Sequence, residues 1–151
     1  MTTTTQRPVP TVRAIIPDAD GRVLLLQRSA GSYGGTSWCL PGGKVDYGRT
    51  VEEAVIQEVL EETSLRCLSV RFLFYQDSLP FEAGGIHCIN FYFECCTEGT
   101  VRLNPESVDY VWIGRDELSR YAIGFRNDEG LLRYWAFTTC ARPTDSTPVF
   151  C

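Results

Sequence analysis

The sequence predicts an α/β fold, and three observations carry the prediction. Apolar, β-rich runs of strand length recur along the chain, separated by turn signals. The stretch 50–65 instead carries apolar residues at helical spacing behind a capping signal. A second helical pattern, at 128–137, spaces Leu131, Leu132 and Trp135 as a core-facing stripe. At 151 residues the chain makes one domain, long enough to bury a core of its own.

Residues 1–9, rich in Thr and Pro, read as a flexible tail, 10–140 as the folded domain and 141–151 as a loose tail. Runs 11–16 and 22–28 flank Pro17-Asp18-Ala19-Asp20-Gly21, a strong turn signal, and are expected to pair as a hairpin. The small-residue loop 29–37 is no P-loop, because no Gly-Lys-Ser/Thr follows it. The first helix is expected to start at Thr50, with Glu53 three residues on completing a capping box. Val55, Ile56, Val59 and Leu60 are expected to pack on the sheet, away from the helix's acidic side. Two long strands follow, 66–76 and 85–96; in the second, His87, Ile89, Phe91 and Phe93 alternate with Cys88, Asn90, Tyr92 and Glu94. Between them 77–84 is a loop. A strand at 110–114, a short helix at 115–121 and the helix at 128–137 complete the order.

Composition excludes several functions. A net charge of −5 argues against a nucleic-acid polymer as partner, since such proteins carry a basic stripe. A small phosphorylated ligand fits, because metal ions supply the missing positive charge. Seven cysteines with no CxxC spacing, and the single His87, argue against structural zinc. Most of the cysteines read as buried small hydrophobes in a reducing, cytoplasmic compartment, with Cys151 at the terminus expected to be exposed and oxidisable. The start, MTTTTQRPVP, has no apolar segment of a signal peptide, and no membrane span appears.

A helix turns about 100° per residue, so Glu58, Glu61 and Glu62 fall on one side of the helix. Crowded carboxylates repel unless a cation sits between them. An all-oxygen cluster suits a hard ion such as Mg²⁺, which also binds substrate phosphates. Taken alone, such a run reads as a solvated acidic helix face; its surroundings change that reading.

Those surroundings run GGKVDYGRTVEEAVIQEVLEETSL from Gly42 to Leu65. The stretch resembles the Nudix box of the Nudix hydrolases: Gly, five residues, Glu, seven residues, Arg-Glu, an aliphatic, any residue, Glu-Glu, any residue, Gly, an aliphatic. These positions fall on Gly43, Arg49, Gln57, Glu58, Val59, Glu61, Glu62, Ser64 and Leu65. Trp38 through Gly43 is similar to the family's approach to the box. Glu106 ahead of Trp112, followed by Asp116-Glu117-Leu118, is similar to its exit. With the element order, the resemblance implies an α/β/α sandwich on a mixed β-sheet. It also implies Mg²⁺, with Mn²⁺ as a substitute, held by Glu58, Glu61, Glu62 and a carbonyl of the Gly42-Gly43 turn. The catalytic set it implies is Glu58, Glu61, Glu62 and Glu106, with either Glu58 or Glu106 as general base.

Three box positions depart from the pattern: Arg49 replaces a Glu, Gln57 an Arg and Ser64 a Gly. Losing the Glu and Arg together leaves no unpaired charge behind, and Arg49 is read as placing its guanidinium near the site from the other side. Ser64 falls where a helix end favours the left-handed conformation, at a cost of about 1 kcal/mol to a non-glycine residue.

Substrate binding is expected at Arg28, Asn127 and Asp128. Arg28, at a strand end, reads as a phosphate contact or as an ordinary surface residue. The MutT-like branch of the family reads a purine edge with an Asn or Asp pair before the last helix. Asn127-Asp128 stands there, and an amide donates and accepts side by side; the other reading of Asn127 is a helix cap. Phe74, Tyr75, Phe81 and Phe125 are candidate stacking residues. The leading function is Mg²⁺-dependent hydrolysis of a small nucleotide, a nucleoside triphosphate giving monophosphate and pyrophosphate. ADP-ribose or a nucleotide sugar is the alternative substrate. A nucleotide-binding sensor with little turnover is the alternative class, motivated by Arg49 and Gln57. A homodimer is compatible with the resemblance.

Overall fold

The structure, a computed structural model, describes residues 6–140. The expectations for 1–5 and for the tail 141–151 lie outside the described residues. Strands β1 (Val9–Ile15), β2 (Val23–Arg28), β3 (Trp38–Cys39) and β4 (Gly42–Lys44) precede helix α1 (Val51–Thr63). Then come the long β5 (Arg66–Ser78) and β6 (Cys88–Glu98), β7 (Ser107–Ile113), a 3₁₀ helix (Arg115–Arg120) and α2 (Asn127–Cys140). Strand β1 begins inside the stretch read as tail, because Val9 already pairs with Cys88 of β6.

The strands form two sheets. One is mixed, in the order β4-β1-β6-β5, with β1 parallel to β6 and the other pairs antiparallel. The other is antiparallel, in the order β3-β2-β7. The expected β1–β2 hairpin is therefore corrected. Its turn forms, with the Asp18 carboxylate accepting from the N–H groups of Asp20 and Arg22, both at 2.9 Å. Beyond the Pro17–Val23 bridge the two strands part into separate sheets. Both strands are buried on both faces over most of their length, so each lies in the interior of its own sheet.

Two cores lie on either side. Val12, Ala14 and Ile16, with Leu24 and Leu26, meet Ala54, Val55 and Val59 of α1. Ile15, Val23 and Leu25 meet Leu40, Leu118 and, from α2, Leu131, Tyr134 and Trp135. Strand β6 serves both, Phe93 in the first and Tyr92 in the second. The result is the expected α/β/α sandwich. Among the described residues no helix is long and apolar enough to cross a membrane.

Three packing expectations change. Ile56, Leu60 and Leu132 are exposed. In α1 the buried stripe is centred on Val55 and Val59, from which Ile56 and Leu60 each point about 100° away. Cys39 and Cys95 are buried free thiols as expected, whereas Cys96 is disulfide-bonded.

Candidate active site

Helix α1 is started by the expected capping box. Glu53 N–H donates to Thr50 Oγ1 at 3.1 Å, and Thr50 N–H donates back to the Glu53 carboxylate at 3.3 Å. Two turns later, Glu62 lies only about 20° around the helix from Val55 and so turns inward beside the core stripe. It is 6% exposed. Its Oε2 accepts the Gly42 N–H at 3.1 Å, which ties the end of α1 to β4.

The Gly42-Gly43 pair makes that approach possible. A Cβ on Gly42 would collide with the Val12 carbonyl across the β1–β4 ladder. One on Gly43 would stand 2.8 Å from both Cδ and Oε1 of Glu58. Helix and strand are thus drawn together until one carboxylate bonds the glycine backbone and the other lies against it.

This crowding shifts both acids. Burial, with the neighbouring Glu58 charge adding, pushes Glu62 up to about 8; the Gly42 N–H and the Arg13 guanidinium pull the other way, and Glu106 adds to the rise. Glu58 is raised by its burial and by Glu61, with Glu106 and Asp46 adding, against a hydrogen bond from the Glu62 side chain. Glu106 is exposed on the turn before β7, where its carbonyl accepts Ser29 N–H at 2.9 Å. Its charge reaches both Glu58 and Glu62. Glu61 points outward, although its charge reaches Glu58. It is exposed, and its Oε1 accepts the Gln57 side-chain amide at 2.6 Å, an i,i+4 pair along the helix. With Glu61 held there, no three His, Cys, Asp or Glu side chains among the described residues form a group able to hold a metal. The donor chemistry still suits a hard cation: crowded carboxylate oxygens with raised proton affinity are what a divalent ion neutralises by displacing the proton.

A second group gathers on the other face of β1. Arg13 breaks the apolar run Val12–Ile16 and faces the α2 side, with Ile15. It is 8% exposed; its Nη1 donates a long bond to the Leu40 carbonyl at 3.4 Å, and its Nε has no partner. The guanidinium lies 4.7 Å from the Phe125 ring centre, and that of Arg28 lies 5.5 Å from the same centre. Arg28 Nε donates to the Tyr33 carbonyl at 2.6 Å, and the Tyr33 ring packs on Phe125. Burial pushes the intervening Cys39 thiol up, against the pull of Arg13 and Arg28. Sequence reasoning missed Arg13; the signal was a charged residue inside an otherwise apolar strand.

The Asn127 side chain is bonded within the fold. It is 0% exposed, its Oδ1 accepts Leu40 N–H at 2.8 Å, and its amide nitrogen donates to Tyr92 Oη and the Phe125 carbonyl, both at 3.3 Å. The side chain thereby splices the α2 start to the strand leading into Gly42. Asp128 is half-buried beside it. Phe74 stacks on Tyr92, while Tyr75 and Phe81 are exposed. A surface concavity of about 480 Å³, lined by Tyr75, Gln76, Arg126 and Arg133 among others, is lined by none of the four glutamates.

The sequence profile of the NUDIX domain matches residues 7–134. The chain belongs to the Nudix hydrolase family. Nucleoside triphosphatase NudI of Escherichia coli O139:H28 is 30% identical over 116 residues, covering 68% of this chain and 79% of that protein. ADP-ribose pyrophosphatase of Methanocaldococcus jannaschii is 46% identical over 50 residues, covering 33% of this chain and 29% of that protein. The MutT protein of Methanosarcina mazei superposes with a TM-score of 0.78 at 24% identity, covering 90% of this chain and 99% of that one, a likeness of fold.

The departures from the Nudix box now have places. Arg49 is exposed in the turn before α1, its N–H on the Asp46 carbonyl at 3.1 Å, and no salt bridge among the described residues includes it. Among the described residues no ion pair joins its guanidinium to the glutamates. Gln57 holds Glu61 outward. Ser64 ends α1 at φ 64°, in the left-handed region as expected.

Proposed function

We propose that this Nudix domain hydrolyses a phosphoanhydride bond of a small nucleotide with Mg²⁺ or Mn²⁺, converting a nucleoside triphosphate to monophosphate and pyrophosphate in the cytoplasm. The observation that carries the reading is the Glu58–Glu62 pair, pressed against Gly42-Gly43 with Glu106 in electrostatic reach and, among the described residues, neither acid in a salt bridge.

Glu58, Glu62 and the Gly42-Gly43 backbone would hold the ion, with Glu61 joining once it leaves Gln57. A bound divalent ion shields phosphate charge and acidifies water. Around it the protein's work is positional. The buried Glu62 is fixed by Gly42 N–H, and the missing side chain at Gly43 lets Glu58 lie against the turn, a fixed pair that would aim water in line at phosphorus. The water oxygen bonds to phosphorus as the bridging P–O bond breaks, and pyrophosphate leaves with that oxygen. Glu58 or Glu106 accepts the water's proton. Arg28 offers its free guanidinium nitrogens to a phosphate.

The test is hydrolysis of a panel of nucleoside triphosphates, oxidised guanine triphosphates, ADP-ribose and sugar nucleotides, with Mg²⁺, with Mn²⁺ and with chelator. Metal-dependent release of pyrophosphate from triphosphates is expected. Cleavage confined to ADP-ribose or sugar nucleotides moves the substrate class, and tight binding without cleavage supports the sensor instead.

A further inference from the structure

We propose that Arg13 is a specificity residue of this site, resting on the nucleotide reading above: it selects bases carrying a keto oxygen, rather than an exocyclic amine, beside Phe125. Four observations converge on the β1–α2 face. Arg13 is nine-tenths buried and its Nε has no partner. Leaving a buried donor unmade costs about 1–3 kcal/mol, more for a charged group, so a chain keeps such a group where something else completes it. Among the described residues, neither Arg13 nor Arg28 is in a salt bridge, although both lie against one aromatic ring. Finally, Phe125 and Arg126 stand at φ 59° and 56°, left-handed conformations that cost about 1–3 kcal/mol each and persist where the surroundings impose them. They shape the turn from which the Phe125 ring reaches over Arg13.

The chemistry of the pocket is one-sided. A guanidinium offers donors only. The Asn127 Oδ1 is already bonded to Leu40 N–H. The ligand group that completes Arg13 must therefore accept, and the adjoining ring favours a planar, stacking partner. A keto oxygen with its neighbouring ring nitrogen meets the planar fork of a guanidinium, the geometry by which arginine reads guanine. An exocyclic amine in the same place sets donor against donor. A phosphate would also accept. It would, however, bring its full charge into a pocket that is nearly closed to water, whereas a neutral carbonyl is desolvated at far lower cost. Phe125 covers the guanidinium in the free protein, so the base must displace the ring from Arg13 and stack against it.

Inosine and adenosine monophosphates share the N7 acceptor and differ at this edge only in the six-position group, a keto oxygen against an amine, and neither requires turnover to be measured. Calorimetric titration of the full chain with each is expected to show inosine monophosphate binding at least about tenfold tighter, and Arg13→Met is expected to bring the two together. Arg13→Lys, which keeps a charge but loses the fork, is expected to retain only part of the difference. Equal binding by the native protein overturns the proposal whatever the variants do. So does an equal weakening of both ligands by Arg13→Met, which would make Arg13 a phosphate anchor. A keto preference in a protein that cleaves no triphosphate would leave this assignment standing and reject the triphosphatase reading alone.

Discussion

The two faces of β1 carry two kinds of site. On the α1 face, Glu58, Glu62, Gly42 and Gly43 fall within a short run of sequence, and their geometry follows from a capped helix and a two-glycine strand. On the α2 face, Arg13, Arg28, Cys39 and Phe125 come from β1, β2, β3 and the turn before α2. The first set crowds negative charge that calls for a cation. The second places two guanidinium groups on one ring, neither in a salt bridge among the described residues. The difference is that local chemistry can be written as a motif, while chemistry assembled by topology is visible only once the strands are ordered.

The largest break in that comparison is expected from Glu62→Gln. It keeps the shape and the Gly42 N–H acceptor while removing the charge that a divalent ion would meet. Turnover should fall at least about a hundredfold, or about 2.7 kcal/mol of barrier, with thermal stability near that of the native chain. A loss below about tenfold would remove Glu62 from the metal site.

Next in size is Gly43→Ala. The new methyl would stand 2.8 Å from the Glu58 carboxylate, so the carboxylate, the strand or both must shift. A displacement of about 1 Å at a reacting group costs on the order of a hundredfold. The expected result is a drop in kcat of about ten- to a hundredfold with much smaller loss of nucleotide binding. An unchanged kcat would mean that the glycine is needed for packing against α1 and not for Glu58.

Smaller again is a pH effect confined to the α1 face. Glu62 is raised from 4.5 to about 8 in the folded chain, and Glu58 is raised with it. Between those values the native state binds more protons than the unfolded state, so stability falls as pH rises. The Tm of metal-free protein should decline from about pH 5 to pH 8, and Mg²⁺ should restore more at pH 8 than at pH 5. A Tm that rises through this window would mean the two acids are already compensated within the chain.

These effects follow how much of the molecule was legible. The Thr50–Glu53 box, the left-handed Ser64 and the sandwich itself could be read because each depends on near neighbours or on element order. The separate fates of the glutamates were misread as one acidic side turned away from the core, although Glu62 lies near the angle of Val55 and Glu61 about 120° from it. What held Glu61 outward, its bond to Gln57, was not anticipated. The splayed β1 and β2 were misread because turn chemistry fixes only the turn, while sheet membership was decided by apolar faces meeting partners far away in sequence. Asn127 shows the same limit: its bond to Leu40 spans 87 positions, and no window of sequence contains it.

The smallest effect tests the local side on its own terms. Ser64 closes α1 at φ 64°, where a serine carries a cost of about 1 kcal/mol that glycine escapes. Its hydroxyl, however, donates to the Arg102 carbonyl at 3.0 Å, a bond worth about 0.5–1.5 kcal/mol. Ser64→Gly removes both and should move stability by only a few tenths of a kcal/mol. Ser64→Ala keeps the backbone cost and loses the bond, so it should be destabilised by about 1 kcal/mol, or roughly 2–4 °C in Tm. The gap between the two variants isolates the left-handed cost. If alanine and glycine melt together, the helix end carries no strain, and the family's glycine here has some purpose other than backbone freedom.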